Sequence, residues 1–384
     1  MLQDETLHYL DNAATTMVAP EVAQAIHKAM TECWANPSSL YTAGLESARV
    51  LGRARAAVAK SLGCTPQELY FTGCGTESNN IALLGAALSR KSWGKRIIVS
   101  GFEHPSVQLP LRRLAREGFD VVEVKPERDG RLDVEKMASL VTKGTSLVAC
   151  MLVNNETGTR VEVERLARMV KAANPRTAVH VDAVQAWLRI PFGLDNIDSL
   201  SVSGHKIHAP KGVGALFLRR GYEQNLWAPY LGGGQEKAIR PGTENLPYAV
   251  GLAAAAERME KTRAARTARL AALNRRLREG VAAIPGVTVN SPDDAVAEVL
   301  NLSENCVRSN TMLNYLAESR IYVSSGSACS KGEASHTLTA MGCTPLEIDT
   351  ALRVSLCGEN TEADVDAFLN GLEAGLKTLS HIRK

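Results

Sequence analysis

The stretch Ser203-Gly204-His205-Lys206, met shortly after His180-Val181-Asp182-Ala183-Val184-Gln185, decides how this chain folds. Each closes a short, β-rich apolar run in polar residues: Ala178 to Val181 leads into Asp182, and Leu200 to Ser203 leads into His205 and Lys206. Five more runs of the same kind, Glu68 to Thr72, Arg96 to Ser100, Asp120 to Val124, Ser146 to Val153 and Gly214 to Leu218, alternate with amphipathic segments. Strands alternating with helices predict an α/β fold whose mostly parallel seven-stranded sheet is covered by helices. Ligands of such sheets gather beyond the carboxyl ends of the strands. The polar clusters fall at those ends: Gly73-Cys74-Gly75-Thr76-Glu77, Glu103-His104-Pro105 and Asn154-Asn155-Glu156-Thr157-Gly158 each follow a strand.

Apolar residues recur at helical spacing from Pro20 to Cys33 and from Leu45 to Leu62, where Gly63 supplies a stop. Beyond about Gly251 the texture changes to one long Ala/Arg/Leu helix through Glu279, followed by shorter elements of a smaller α+β lobe. At 384 residues the chain exceeds what a single core sustains. The expected division is a large domain over residues 15–255 and a small domain built from 1–14 and 256–384.

Hydrophobic residues make up 45% and charged ones 22%, which excludes extended disorder. A net charge of +3 over this length points to no nucleic-acid or membrane partner. Arg263, Arg266, Arg269, Arg275, Arg276 and Arg278 share a helix without interleaved aromatics, and read as a solvated face. No apolar run reaches bilayer length, and Met1 to Leu10 lacks the basic start and apolar core of a secretory signal. The eight cysteines form no Cys-x-x-Cys pair, so no metal site is expected and a reducing cytoplasm is the expected compartment.

Lys206 offers an amine able to form an imine, and Asp182 a carboxylate able to hold a protonated ring nitrogen. Gln185 stands one turn on, in reach of a phenolic oxygen. These are the contacts that pyridoxal phosphate requires. Gly75-Thr76 opens a helical segment over Glu77 to Ser89, whose N-terminus presents free N–H groups and a positive dipole end to a phosphate. His104, just before Pro105, is either a helix cap or an aromatic plate over a ring that also moves a proton. Arg353, inside the apolar run Thr350 to Ser355, binds either a substrate carboxylate or an internal acid. Cys329 lies in Ser324-Ser325-Gly326-Ser327-Ala328-Cys329-Ser330-Lys331-Gly332, too small and polar to bury itself; the run reads as a loop carrying a nucleophilic thiolate, with Lys331 to lower its pKa.

Together with Tyr9-Leu10-Asp11-Asn12-Ala13-Ala14-Thr15-Thr16, Thr76-Glu77-Ser78-Asn79-Asn80 and Arg240-Pro241-Gly242-Thr243-Glu244-Asn245, these motifs make the chain resemble, over nearly its whole length, the group I cysteine desulfurases of the aminotransferase class V superfamily. The resemblance implies pyridoxal 5'-phosphate on a type I pyridoxal-phosphate transferase fold, with Lys206 bound to it as an imine and Asp182 on the pyridine nitrogen. It implies Gln185 and Asn155 near the phenolic oxygen and substrate, and His104 stacked on the ring. Gly75, Thr76, Ser203 and His205 would hold the phosphate, with Thr243 reaching the phosphate of a neighbouring subunit, hence a homodimer with shared sites. The implied reaction converts L-cysteine to L-alanine. Lys206 shuttles the Cα proton and the Cys329 thiolate takes the sulfur as a persulfide, for an acceptor protein of iron–sulfur cluster assembly or tRNA thiolation. Arg353 would hold the substrate carboxylate.

Two departures stand out. The segment from Cys329 to Ser335-His336 is shorter than the family pattern and lacks its Leu-Glu-Pro, and the chain ends at Lys384 without the tail by which the housekeeping branch docks its scaffold. The Arg-Pro-Gly-Thr-Glu-Asn run looks closer to the branch associated with nitrogenase maturation. Rival readings are a selenocysteine, cysteine or cystine lyase on the same fold, and a catalytically silent sulfur carrier.

Overall fold

Seven strands form the central sheet of the computed structural model, which describes residues 6–326 and 334–382. Their order across the sheet is Leu69–Thr72, Gly214–Leu218, Ser199–Ser203, Ala178–Asp182, Thr145–Met151, Arg96–Ser100 and Asp120–Val124. Gly214–Leu218 runs antiparallel to both its neighbours, and the remaining pairings are parallel. Six carboxyl ends therefore share one edge. The central strands are buried on both faces along their whole length, by apolar residues and by small or hydrogen-bonded polar ones.

Helices cover the sheet where amphipathic spacing placed them. Thr42–Leu62 stops at Gly63, whose φ of 74° is left-handed and open to glycine at no steric cost. Pro20–Glu32 begins on its proline, which is preorganised for a first helical turn. Among the described residues no helix is long and apolar enough to cross a membrane.

The single long helix expected beyond Gly251 is two helices, Leu246–Lys261 and Arg263–Ala282, broken at Thr262. Arg266 explains the break. It is buried, and its guanidinium donates to the Met259 carbonyl at 2.7 Å and to Thr262 Oγ1 at 3.0 Å, satisfying the end of the first helix. Nor is the arginine-rich helix a simple solvated face, since Arg269 donates to the Asn360 carbonyl and Arg276 pairs with Asp366.

A second, smaller core gathers Leu10, Leu273, Leu277, Leu302, Val354 and Phe368. It packs on the antiparallel strands Ala351–Ser355, Val299–Ser303 and Thr288–Val289 and on the helix Glu362–Thr378. The first strand, His8–Tyr9, pairs in parallel with Ile321–Tyr322 on this side of the molecule.

Gly214 sits in register between Thr72 and Ser203, at the edge where the polar clusters converge. A Cβ there would lie 2.7 Å from the Val202 carbonyl oxygen and 2.9 Å from the Cys74 carbonyl carbon, all backbone that cannot swing aside. Gly214→Ala is expected to cost about 1–3 kcal/mol through overpacking and to lower the Tm measurably. An unchanged Tm in thermal unfolding would contradict this packing.

Candidate active site

One cleft at the carboxyl edge of the sheet brings together Lys206, Asp182, Gln185, His104, Asn155, Gly75, Thr76, Ser203, His205 and Arg353, with Ala13 and Ala14 beside them. Thr243 is absent from it. It is exposed and lines a separate depression with Arg240 and Gly242, which Arg240 ties to the cleft's helix by pairing with Glu77 at 3.2 Å. Cys329 and Lys331 lie outside the described residues.

Lys206 closes a single 3-10 turn directly after the strand Ser199–Ser203. Its ammonium donates to the Ala13 carbonyl at 2.6 Å and the Ala14 carbonyl at 2.8 Å. Gln185 Nε2 donates to the same Ala13 carbonyl at 2.9 Å.

Asp182 ends its strand buried, and both carboxylate oxygens are engaged: Oδ1 accepts from the Val184 N–H at 2.9 Å and Oδ2 from Asn79 Nδ2 at 2.8 Å. Behind Asn79 stands His180, whose Nε2 meets Asn79 Oδ1 at 3.0 Å and whose Nδ1 meets Ser199 Oγ at 2.9 Å. Burial pulls the His180 pKa down to about 3, so this histidine is neutral. Asn79 donates to Asp182, so its carbonyl must face His180 and Nε2 must carry the proton.

His104 caps the helix Pro105–Arg116, and its Nδ1 accepts from the Ser106 N–H at 3.1 Å. The cap reading holds, and the same ring also lines the cleft. With Nδ1 occupied as an acceptor, the neutral ring holds its proton on Nε2. Burial lowers its pKa, with Lys206 adding to the effect and Asp182 opposing it. The pKa of His205 goes down to about 3, lowered by burial and then by Lys206 and Lys211.

Arg353 is buried and engaged on two sides, with Nη2 on Asp11 Oδ1 at 2.7 Å and Nη1 on the Asn155 carbonyl at 3.0 Å. The internal acid left open by the sequence is Asp11. Arg353 Nε has no partner among the described residues.

The residues fit a phosphorylated ring. The Ser203 hydroxyl is buried and has no hydrogen-bond partner among the described residues, beside the N-terminus of the helix Gly75–Arg90, which no side chain caps. A Cβ on Gly75 would lie 2.7 Å from Val184 Cγ2 and 3.5 Å from Ser203 Cβ, so only glycine leaves the cradle open. Donors without acceptors at a helix N-terminus suit an anion.

Sequence reasoning missed Asn79 as the support of Asp182, His180 behind it, and the two alanine carbonyls under Lys206. Asn79 carried a usable signal, because asparagine disfavours helix interiors unless its side chain has work there. Backbone carbonyls carry none. Elsewhere, His208, Cys357 and Glu359 place ligand-type atoms within 4.8 Å of one another. Burial would raise the Glu359 pKa, but His208 and Arg258 pull it down to about 2, and Arg258 pairs with it at 2.5 Å. A guanidinium thus already answers that carboxylate.

The aminotransferase class-V family model matches residues 8–368. The chain is 40% identical over 369 residues to a cysteine desulfurase of Trichormus azollae, covering 94% of this chain and 90% of that one. It is likewise 40% identical over 369 residues to the cysteine desulfurase NifS of Azotobacter vinelandii, with the same coverage. A solved NifS-like protein superposes with a TM-score of 0.91 at 36% identity, covering 97% of this chain and 99% of that one.

Glu103, next to His104, accepts from the Met151 N–H at 2.6 Å and from Ser100, and its Oε2 has no partner among the described residues. Burial, with Asp182 adding, pushes its carboxyl up to about 8 from an ordinary 4.5. Between those values the unfolded chain releases the proton while the folded chain keeps it, so stability falls as pH rises. Glu103→Gln has no proton to lose and should gain Tm relative to the unaltered chain between about pH 5 and about pH 8. Parallel Tm curves would contradict the neutral carboxyl.

Proposed function

The chain belongs to the aminotransferase class-V family, and from that premise we propose that it is a pyridoxal-phosphate-dependent cysteine desulfurase, converting L-cysteine to L-alanine and carrying the sulfur away on its own thiol. One observation carries the reading: the Lys206 ammonium and the supported Asp182 carboxylate line one cleft, together with an unpartnered Ser203 hydroxyl and an uncapped helix N-terminus.

Bound in the cleft, pyridoxal phosphate supplies the electron sink that makes loss of a Cα proton feasible at neutral pH. Lys206 would hold it covalently, Asp182 at the pyridine nitrogen, and Ser203, His205 and the N–H groups of Gly75 and Thr76 at the phosphate. The amine of Lys206 then takes and returns the proton at the substrate Cα. His104, with its proton on Nε2, meets the substrate as a donor. Arg353 keeps Nε for the substrate carboxylate while Asp11 and Asn155 fix the rest of its guanidinium. The Cys329 thiolate attacks the substrate sulfur: an S–S bond forms, the C–S bond breaks, and its electron pair ends as a C–H bond of alanine.

The shared motif runs support a group I assignment. Exposed Thr243 supports a homodimer, because it lies outside this chain's own cleft, where a second copy's phosphate would meet it. The exposed Trp34, Leu40 and Tyr41 and the exposed Trp227, Tyr230 and Leu231 give that second copy apolar surface to cover. The sulfur goes to an acceptor protein of iron–sulfur cluster assembly or tRNA thiolation. The seven described cysteines, all unpaired, suit the reducing cytoplasm in which such transfer runs.

Cys329→Ser is the direct test. Alanine formation from L-cysteine should fall by at least about 100-fold while the cofactor's absorbance stays, since only the sulfur acceptor is lost. Undiminished alanine formation in that variant would overturn the assignment.

A further inference from the structure

Gln185 and Arg189 stand four residues apart in the turns that follow the strand Ala178–Asp182. Leu188 between them has a φ of 63°, a left-handed conformation that branched L-residues avoid. Arg189 Nη1 donates to Gln185 Oε1, and its Nη2 donates to the Lys206 carbonyl at 3.1 Å. The opposite end of the Gln185 amide donates to the Ala13 carbonyl at 2.9 Å.

An amide has one end that accepts and one that donates, and its neighbours determine which is which. Here one neighbour is a guanidinium, which only donates, and the other a carbonyl, which only accepts. Turning the amide over would set N–H against N–H and oxygen against oxygen. The guanidinium contact is the charge-assisted one and so the stronger of the two. Nε2 carries a second N–H beyond the one given to Ala13, and Gln185 lines the cleft.

We propose that Arg189 is a positioning residue that locks the Gln185 amide with its nitrogen towards the cleft, so that the site meets a ring oxygen as a hydrogen-bond donor. This rests on the cofactor reading above and adds to it the residue that sets the sign of that contact. The charged and titratable groups facing Arg189 come from several elements. Burial lowers its pKa, Glu298 and the Cys357 thiol oppose that, and Arg266 and Arg353 reinforce it. Glu298 is itself buried, and burial raises its own pKa while Arg189 opposes that.

The test is a double-mutant cycle on the holoenzyme, read as the pH at which the bound cofactor's visible absorbance is half lost. A donor on the ring oxygen favours the form left after the imine proton departs, because that oxygen then carries more negative charge. Losing the donor raises the midpoint. Arg189→Met should raise it by about one pH unit, the scale of a hydrogen bond to a charged group. The same substitution beside Gln185→Leu should shift it by less than about a third of that, because Arg189 then has no amide to orient. Arg189→Lys, which keeps the charge and alters the fork, carries the same cycle with a smaller shift if the methionine variant does not fold. Equal shifts in both backgrounds would show a direct charge effect and overturn the proposal, as would no shift in either. A pure, unaltered chain with no visible band after incubation with pyridoxal phosphate would overturn the cofactor reading as well, and is recognised before any variant is made.

Discussion

The ammonium of Lys206 rests on the carbonyls of Ala13 and Ala14, and the site is organised around that seat. A half-buried amine gains from acceptors that face it, and two carbonyl dipoles face this one. The segment that provides them is stitched to the strand Ala351–Ser355: Asp11 pairs with Arg353, Asn12 Nδ2 donates to the Ser355 carbonyl at 3.0 Å, and the Ala13 N–H donates to Ser355 Oγ at 2.8 Å. On its other side Thr16 Oγ1 donates to the His205 carbonyl and accepts from the His208 N–H. A few residues near the start of the chain thus set the distance between Lys206 and Arg353 on the strand Ala351–Ser355.

Charge in the cleft is arranged by what is kept neutral. Burial holds the pKa values of His180 and His205 far below neutrality and lowers that of His104. The Glu103 carboxyl keeps its proton to about pH 8. Among the described residues the cations there are Lys206, Arg353 and, behind Gln185, Arg189, with the acids Asp182 and Asp11 beside them. Such a site favours anionic groups at several points, which is what a phosphate at one end and a substrate carboxylate at the other require.

The sheet was legible because its strands end in chemistry. Apolar runs that stop at Asp182, at His205-Lys206 or at Glu103-His104 announce both a buried strand and the edge where ligands collect. Arg96–Ser100, Asp120–Val124 and Gly214–Leu218 have the expected limits, and the other strands differ by one or two residues, as between Ser146 to Val153 and the observed Thr145–Met151. What stayed hidden was partnership across the chain. Nothing local to Arg353 marks Asp11 as its acid, and nothing local to Arg266 says it will cap the helix before it and split one helical run into two. Arg189 reads from sequence as an ordinary charged residue after a strand; only the fold shows it bonded both to Gln185 and to the main chain of Lys206. Residues that line the cleft thus announced themselves by type and position, whereas those that hold them in place depend on contacts that no spacing encodes.

The claim on which the account depends is that the Lys206 amine is the one covalently joined to pyridoxal phosphate. Reducing the holoenzyme with borohydride and mapping the peptides by mass spectrometry measures this directly, because reduction makes the imine permanent. The account predicts a single pyridoxyl-phosphate adduct, on the peptide carrying Lys206. An adduct confined to another lysine such as Lys211, or none in a sample whose absorbance shows the cofactor bound, would contradict it.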